Sequence, residues 1–162
     1  MNTDMKAHVM NLLENYSMRE RQISLLHYEM QHSAHITPEE MIDAMSLDHG
    51  DSMGSSGKGH ISNKTLYITL NYQERMERMN AEAANEIAQR LLKLEAEQDR
   101  IRYYVSLLEK REAEVIRLLY IERMTMDNVE KEMHLSAKTL RKLKNQAVDA
   151  LAAMYEFAAS RK

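Results

Sequence analysis

Three observations predict an all-α protein, with long N-terminal helices forming a hairpin or coiled coil ahead of a small helix-turn-helix unit. Apolar residues recur at steps of three and four along most of the chain, the period of one helix face. The 162 residues include one proline and four glycines, and neither type interrupts residues 64–162. Residues 126–145, MDNVEKEMHLSAKTLRKLKN, place apolar and capping side chains where two short helices and a turn require them.

The first helix is predicted over residues 3–32. Met5, Val9, Leu12, Tyr16, Arg19, Ile23, Leu26 and Met30 alternate steps of four and three, a heptad seam with one polar member, Arg19. His27, His32 and His35 lie close in sequence but match no zinc-binding spacing, so they read as a solvated helix end. Thr37-Pro38-Glu39-Glu40 combines an N-cap, a first-turn proline and a capping-box Glu, and opens a short helix ending near Ser46. Residues 47–63 hold all four glycines among Ser and Asp, and read as a flexible loop. Its GSSGKGH run fails the phosphate-loop spacing, because Gly59 follows Lys58.

A very long helix then begins at Asn63 or Thr65. Met76, Asn80, Ala83, Ile87, Leu91, Leu94, Gln98, Ile101, Val105 and Leu108 continue the seam. A helix over 64–108 would span about 67 Å, and it needs the first helix or a second copy of the chain to cover it. YITLNY at 67–72 alternates like a strand but stands alone, so it reads as the first turns of this helix. Residues 107–122 form one more helix with a thick apolar face. Leu140, Leu143, Ala147, Leu151 and Met154 carry the final helix to about Phe157. The division expected is 1–105 for the helical hairpin and 106–162 for the helix-turn-helix domain.

Composition excludes several classes. There is no Cys, hence no disulfide framework and no Cys-based zinc site. Neither a signal-peptide core nor a membrane-length apolar run is present, and a soluble cytoplasmic protein is expected. No nucleophile–base set or metal cluster suggests an enzyme, and no cofactor is expected. The net charge is −3, but it is unevenly spread: residues 1–63 carry 4 basic and 9 acidic side chains, and residues 109–162 carry 11 and 9.

The most basic stretch is the helix-turn-helix itself. Val129 and Met133 share one helix face, Leu135 sits in the turn, and Leu140 and Leu143 form the inner face of the second helix. Thr125 and Ser136 are suited to N-cap the two helices. Ala137, Lys138, Arg141, Lys142 and Asn145 then face outward, and residues 136–147 hold four cations and no acid. A single charged face is commonly just solvated, but a cationic helix presented by a short turn also suits the DNA major groove. The candidate DNA-binding residues are Ser136, Ala137, Lys138, Arg141, Lys142, Lys144 and Asn145. Lys138, Lys142 and Lys144 are assigned to phosphates, and Arg141 and Asn145 to base edges.

Residues 107–151, LLEKREAEVIRLLYIERMTMDNVEKEMHLSAKTLRKLKNQAVDAL, resemble the fourth conserved region of bacterial sigma factors. They look most like the sigma-region-4-like regulators of phages and integrated elements of Gram-positive bacteria, the RinA and ArpU type. The matching features are the REAEVIRLLY helix, Met124-Thr125, Leu135-Ser136 at the turn, and the basic helix ending in Gln146-Ala147. RQISLLHYE and HISNKTLYITLNYQER are similar to uncharacterised members of the same mobile-element group. The resemblance implies binding of promoter-like double-stranded DNA, with RNA polymerase as a second partner. Three positions depart from the pattern. Glu130 stands where a small residue is usual, His134 where the turn has Gly, and Glu109-Lys110 where a Pro often precedes the RE pair. The competing expectation is a coiled-coil interaction protein that binds RNA polymerase or another partner without reading DNA. In both, residues 1–105 are expected to form a homo-oligomer.

Overall fold

The computed structural model describes residues 2–32 and 63–161, and every regular element among them is helical. Helix α1 spans Asn2–Glu14, α2 Tyr16–His32, α3 Asn63–Ser106 and α4 Lys110–Ile116. A π-helical turn follows over Arg117–Ile121, then α5 over Met126–Met133 and α6 over Ala137–Ala159. The all-α expectation therefore holds. Residues 67–72 are helical, as their isolation implied. The helix expected at Thr37–Pro38, His35 and nearly all of the 47–63 loop lie outside the described residues.

The chain forms two compact units, residues 1–25 with 91–162, and residues 26–90. The first unit does not divide at residue 105. Its larger buried cluster joins Val9, Leu12, Leu13 and Tyr16 to Ile101, Val105, Ile116, Val148, Leu151 and Tyr155. Residues from both sides of the expected boundary thus share one core.

A single first helix was expected over 3–32, and the structure interrupts it at Asn15. Backbone bonds still bridge the joint, from Asn15 N to Asn11 O at 3.0 Å and from Arg19 N to Asn15 O at 2.9 Å. The Asn15 amide also donates to Asn11 O at 3.0 Å, the local competition for carbonyls that makes Asn a poor helix-interior residue. The middle of the seam faces inward as its spacing predicts, with Val9, Leu12, Tyr16 and Arg19 buried, whereas Met5, Ile23 and Leu26 are half-buried and Met30 at its end is exposed.

Arg19 is 5% exposed and Gln98 2%, and they are the buried polar side chains among the described residues. Arg19 Nε donates to Gln98 Oε1 at 2.7 Å, and Arg19 Nη2 to the Leu12 carbonyl at 2.8 Å. Gln98 Nε2 donates to the Tyr16 carbonyl at 3.3 Å. The polar member of the first seam therefore meets Gln98 of the second. At the rim, Arg102 donates to the Tyr16 hydroxyl at 3.1 Å and pairs with Glu20 at 3.0 Å.

The helix expected over 107–122 is shorter and begins later. Leu107 N and Leu108 N bond to Tyr104 O and Val105 O, tightening the last turn of α3. Glu109 is extended at φ −59°, ψ 147°, and its carbonyl receives Ala113 N at 2.8 Å to start α4. Leu108 is thereby turned into the core while Leu107 stays exposed.

Tyr155 is 7% exposed, and its hydroxyl has no hydrogen-bond partner among the described residues. Burial pushes this phenol from 10.0 up to about 12, with the Arg100 charge acting weakly the other way. The folded value is the higher one, so this contribution to stability is complete below pH 10.0 and disappears as pH rises through about 12. Denaturant midpoints measured across that window are expected to fall more steeply for the wild type than for Tyr155→Phe.

In the second unit, Met76, Asn80 and Ile87 are half-buried and Ala83 is exposed. Tyr28 stacks on His32 with ring centroids 4.1 Å apart. His32 Nδ1 lies 3.0 Å from the Tyr28 carbonyl. No group of three or more metal-ligand residues occurs among the described residues. No described helix is long and apolar enough to cross a membrane.

Candidate nucleic-acid interface

The site is built on a small second core. Val115, Leu118, Val129 and Leu140 are buried together, with Leu119, Met124, Met126, Met133 and Leu143 packed around them. Adjacent residues on α4 serve different cores, Val115 this one and Ile116 the larger. One short helix thus supports both. The π turn that follows carries a bond from Glu122 N to Arg117 O at 2.9 Å, and Met124 N then reaches Leu118 O at 2.9 Å. Arg117 and Glu122, both well exposed, form an ion pair across this turn. Arg123 adopts a positive φ of 55°, which reverses the chain into α5.

Both predicted caps are formed. Thr125 Oγ1 accepts from Asn128 N at 3.3 Å, and Ser136 Oγ accepts from Thr139 N at 3.3 Å. Ser136 and Thr139 hydroxyls also bond at 3.0 Å. Between the helices His134 is left-handed at φ 54°, ψ 42°. That is the conformation for which Gly is the usual residue, and His is among the side chains that tolerate it. His134 N and Leu135 N both bond to the Glu130 carbonyl, closing α5.

The first half of α6 presents Lys138, Arg141, Lys142 and Asn145 to solvent, with Ser136 exposed at its start and Ala137 partly buried. No ion pair among the described residues engages Lys138, Arg141 or Lys142. Lys144 is placed differently from the other cations. It is half-buried, and its ammonium lies 6.0 Å from the Tyr120 ring centroid, at the outer edge of cation–π range. Tyr120 in turn packs its hydroxyl against Met10 Sδ at 4.0 Å. The outward stripe therefore consists of four side chains, three of them cationic.

The second half of α6 belongs to the larger core through Ala147, Val148, Leu151, Ala152 and Tyr155. One turn beyond Asn145, Asp149 pairs with Lys6 of α1 at 2.6 Å. That acid is thus engaged by a cation of α1.

Glu130 is half-buried and pairs with none of Lys138, Arg141 and Lys142. Its carboxylate adds negative charge near the stripe without anchoring it. Glu130→Ala is expected to leave the fold intact or slightly more stable and to tighten DNA binding. A thermal melt and a DNA titration on both proteins check this, and a mutant that melts lower and binds more weakly contradicts it.

Comparison with protein-family models, with curated proteins and with solved structures finds no match to this chain.

Proposed function

We propose that this chain is a DNA-binding transcription regulator that sets the first half of α6 into the major groove of promoter-like duplex DNA. The observation that carries this reading is the stripe of Lys138, Arg141, Lys142 and Asn145. It is exposed, free of ion pairs among the described residues, and held on a helix whose cap is formed. Arg141 and Asn145 have the donors that read guanine and adenine edges, and Lys138 and Lys142 suit the flanking phosphates. The resemblance of residues 107–151 to sigma region 4 supports a regulator of phage or mobile-element type, with RNA polymerase as a further partner.

The test is a titration of duplex DNA from the neighbourhood of the protein's own gene at several salt concentrations. Log affinity is expected to fall linearly with log salt, by about 0.9 per phosphate contacted. A salt-independent affinity, or no binding at low salt, overturns the proposal.

A second reading, an interaction protein without DNA readout, is favoured by the exposed apolar side chains of Tyr28, Met30 and Met79. Homo-oligomerisation through residues 1–105 belongs to both readings, and sedimentation at micromolar concentration tests it. A monomer removes oligomerisation from both.

A further inference from the structure

Helix α1 comes from the far end of the sequence to α6, and its Lys6 meets α6 just past the cationic stripe. Lys6 Nζ lies 2.6 Å from Asp149 Oδ1, with side chains 41% and 55% exposed. Lys138, Lys142, Asn145 and Asp149 follow one another at steps of four, three and four, so they share one side of α6. Asp149 is the first acid along that helix, and it sits about 6 Å beyond Asn145 along the axis. The screening length at physiological salt is about 8 Å, so a bare carboxylate there acts on any phosphate at the end of the stripe. Lys6 is carried to this rim by its own helix, which Val9, Leu12 and Leu13 fix in the larger core. An exposed ion pair of this kind adds little to stability. What it changes is the charge at the rim, which is balanced with Lys6 in place and negative without it.

We infer that Lys6 is part of the DNA interface, a positioning residue that masks Asp149 so that phosphates can approach the end of the stripe. The inference rests on the DNA reading proposed above and extends that surface to α1. Its partner is the phosphate backbone, so the contribution carries no base identity. Glu156, the other acid of α6, lies about 16 Å from Asn145 along the axis, well beyond the screening length, and serves as the control.

The experiment is a titration at low salt of duplex DNA from the neighbourhood of the protein's own gene, and of a random duplex. It compares the full chain with Lys6→Gln, Asp149→Asn, the two together, and Glu156→Gln. Lys6→Gln is expected to weaken binding about two- to fivefold, and Asp149→Asn to tighten it by a similar factor. The double variant, with its charge balance restored, is expected to bind like the wild type. These ratios should be the same on both duplexes and shrink as salt rises. Glu156→Gln should change affinity little, and all four variants should melt close to the wild type. A double variant as weak as Lys6→Gln overturns the inference, because Lys6 would then touch DNA itself or hold α1 in place. Wild-type affinity in Lys6→Gln also overturns it. So does a Glu156→Gln effect as large as that of Asp149→Asn, since net charge alone would then decide. In each of these cases the wild type still binds, and the DNA reading stands. A wild type that binds neither duplex at low salt overturns that reading, and this inference with it.

Discussion

Replacing Lys138, Arg141 and Lys142 together by Gln is expected to cut affinity for the protein's DNA site at least about a hundredfold while leaving the melting temperature nearly unchanged. Loss of a bidentate Arg–guanine contact alone is worth about 1–3 kcal/mol, and each decade of affinity about 1.4 kcal/mol. The three side chains are exposed and form no ion pair among the described residues, and substitutions at such sites usually stay within about 0.5 kcal/mol in stability. The salt slope should shrink by about 0.9 for each phosphate contact removed. Arg141→Ala alone should relax base preference, whereas Lys142→Ala should weaken all sequences alike. Lys144→Ala is expected to cost less affinity than Lys142→Ala, because its ammonium lies toward Tyr120 rather than in the outward stripe. Filter binding on specific and random duplexes reads all of these, and a triple variant that retains wild-type affinity would falsify the interface.

The second large effect concerns the buried pair in the helical seam. Gln98→Leu leaves the Arg19 guanidinium buried with an acceptor removed, and should cost about 3 kcal/mol or more. Arg19→Met leaves Gln98 Oε1 and the Leu12 carbonyl without their donor, at a cost of about 2 kcal/mol. The double variant replaces polar by apolar on both sides, and should be less destabilised than Gln98→Leu alone. A coupling of about 1–3 kcal/mol is expected from the complete cycle by urea denaturation. Additive effects would mean that the two side chains do not support each other.

Most of the helical plan was legible in the sequence, because periodic apolar residues report which face is buried. The turn at His134 and the caps at Thr125 and Ser136 could be placed to the residue, since capping and left-handed geometry have strong side-chain preferences. The break at 107–109 could not, as no proline or glycine marks it. It arises because Leu108 is drawn into a core assembled from distant residues. The π turn at 117–121 has no sequence signal of its own either. Lys144 was readable in part: it follows Leu140 by four and so shares that residue's side of the helix. Its partner Tyr120 was not, because that approach is tertiary. Arg19 stood out as the polar member of its seam, but only the packing of α2 on α3 reveals that Gln98 is its partner. The expected boundary at 105 followed the helix-turn-helix pattern, and nothing local in residues 5–16 tells that their apolar edge completes the same core.

That shared core has a consequence for synthesis. Val9, Leu12, Leu13 and Tyr16 emerge from the ribosome first, but Ile101, Val148 and Leu151, which cover them, come far later. At roughly 5–20 residues per second, the early apolar edge waits on the order of ten seconds for its cover. During that interval it is open to chaperones and to neighbouring nascent chains. Production of this protein should accordingly be more sensitive to chaperone supply than its length and helix content alone suggest.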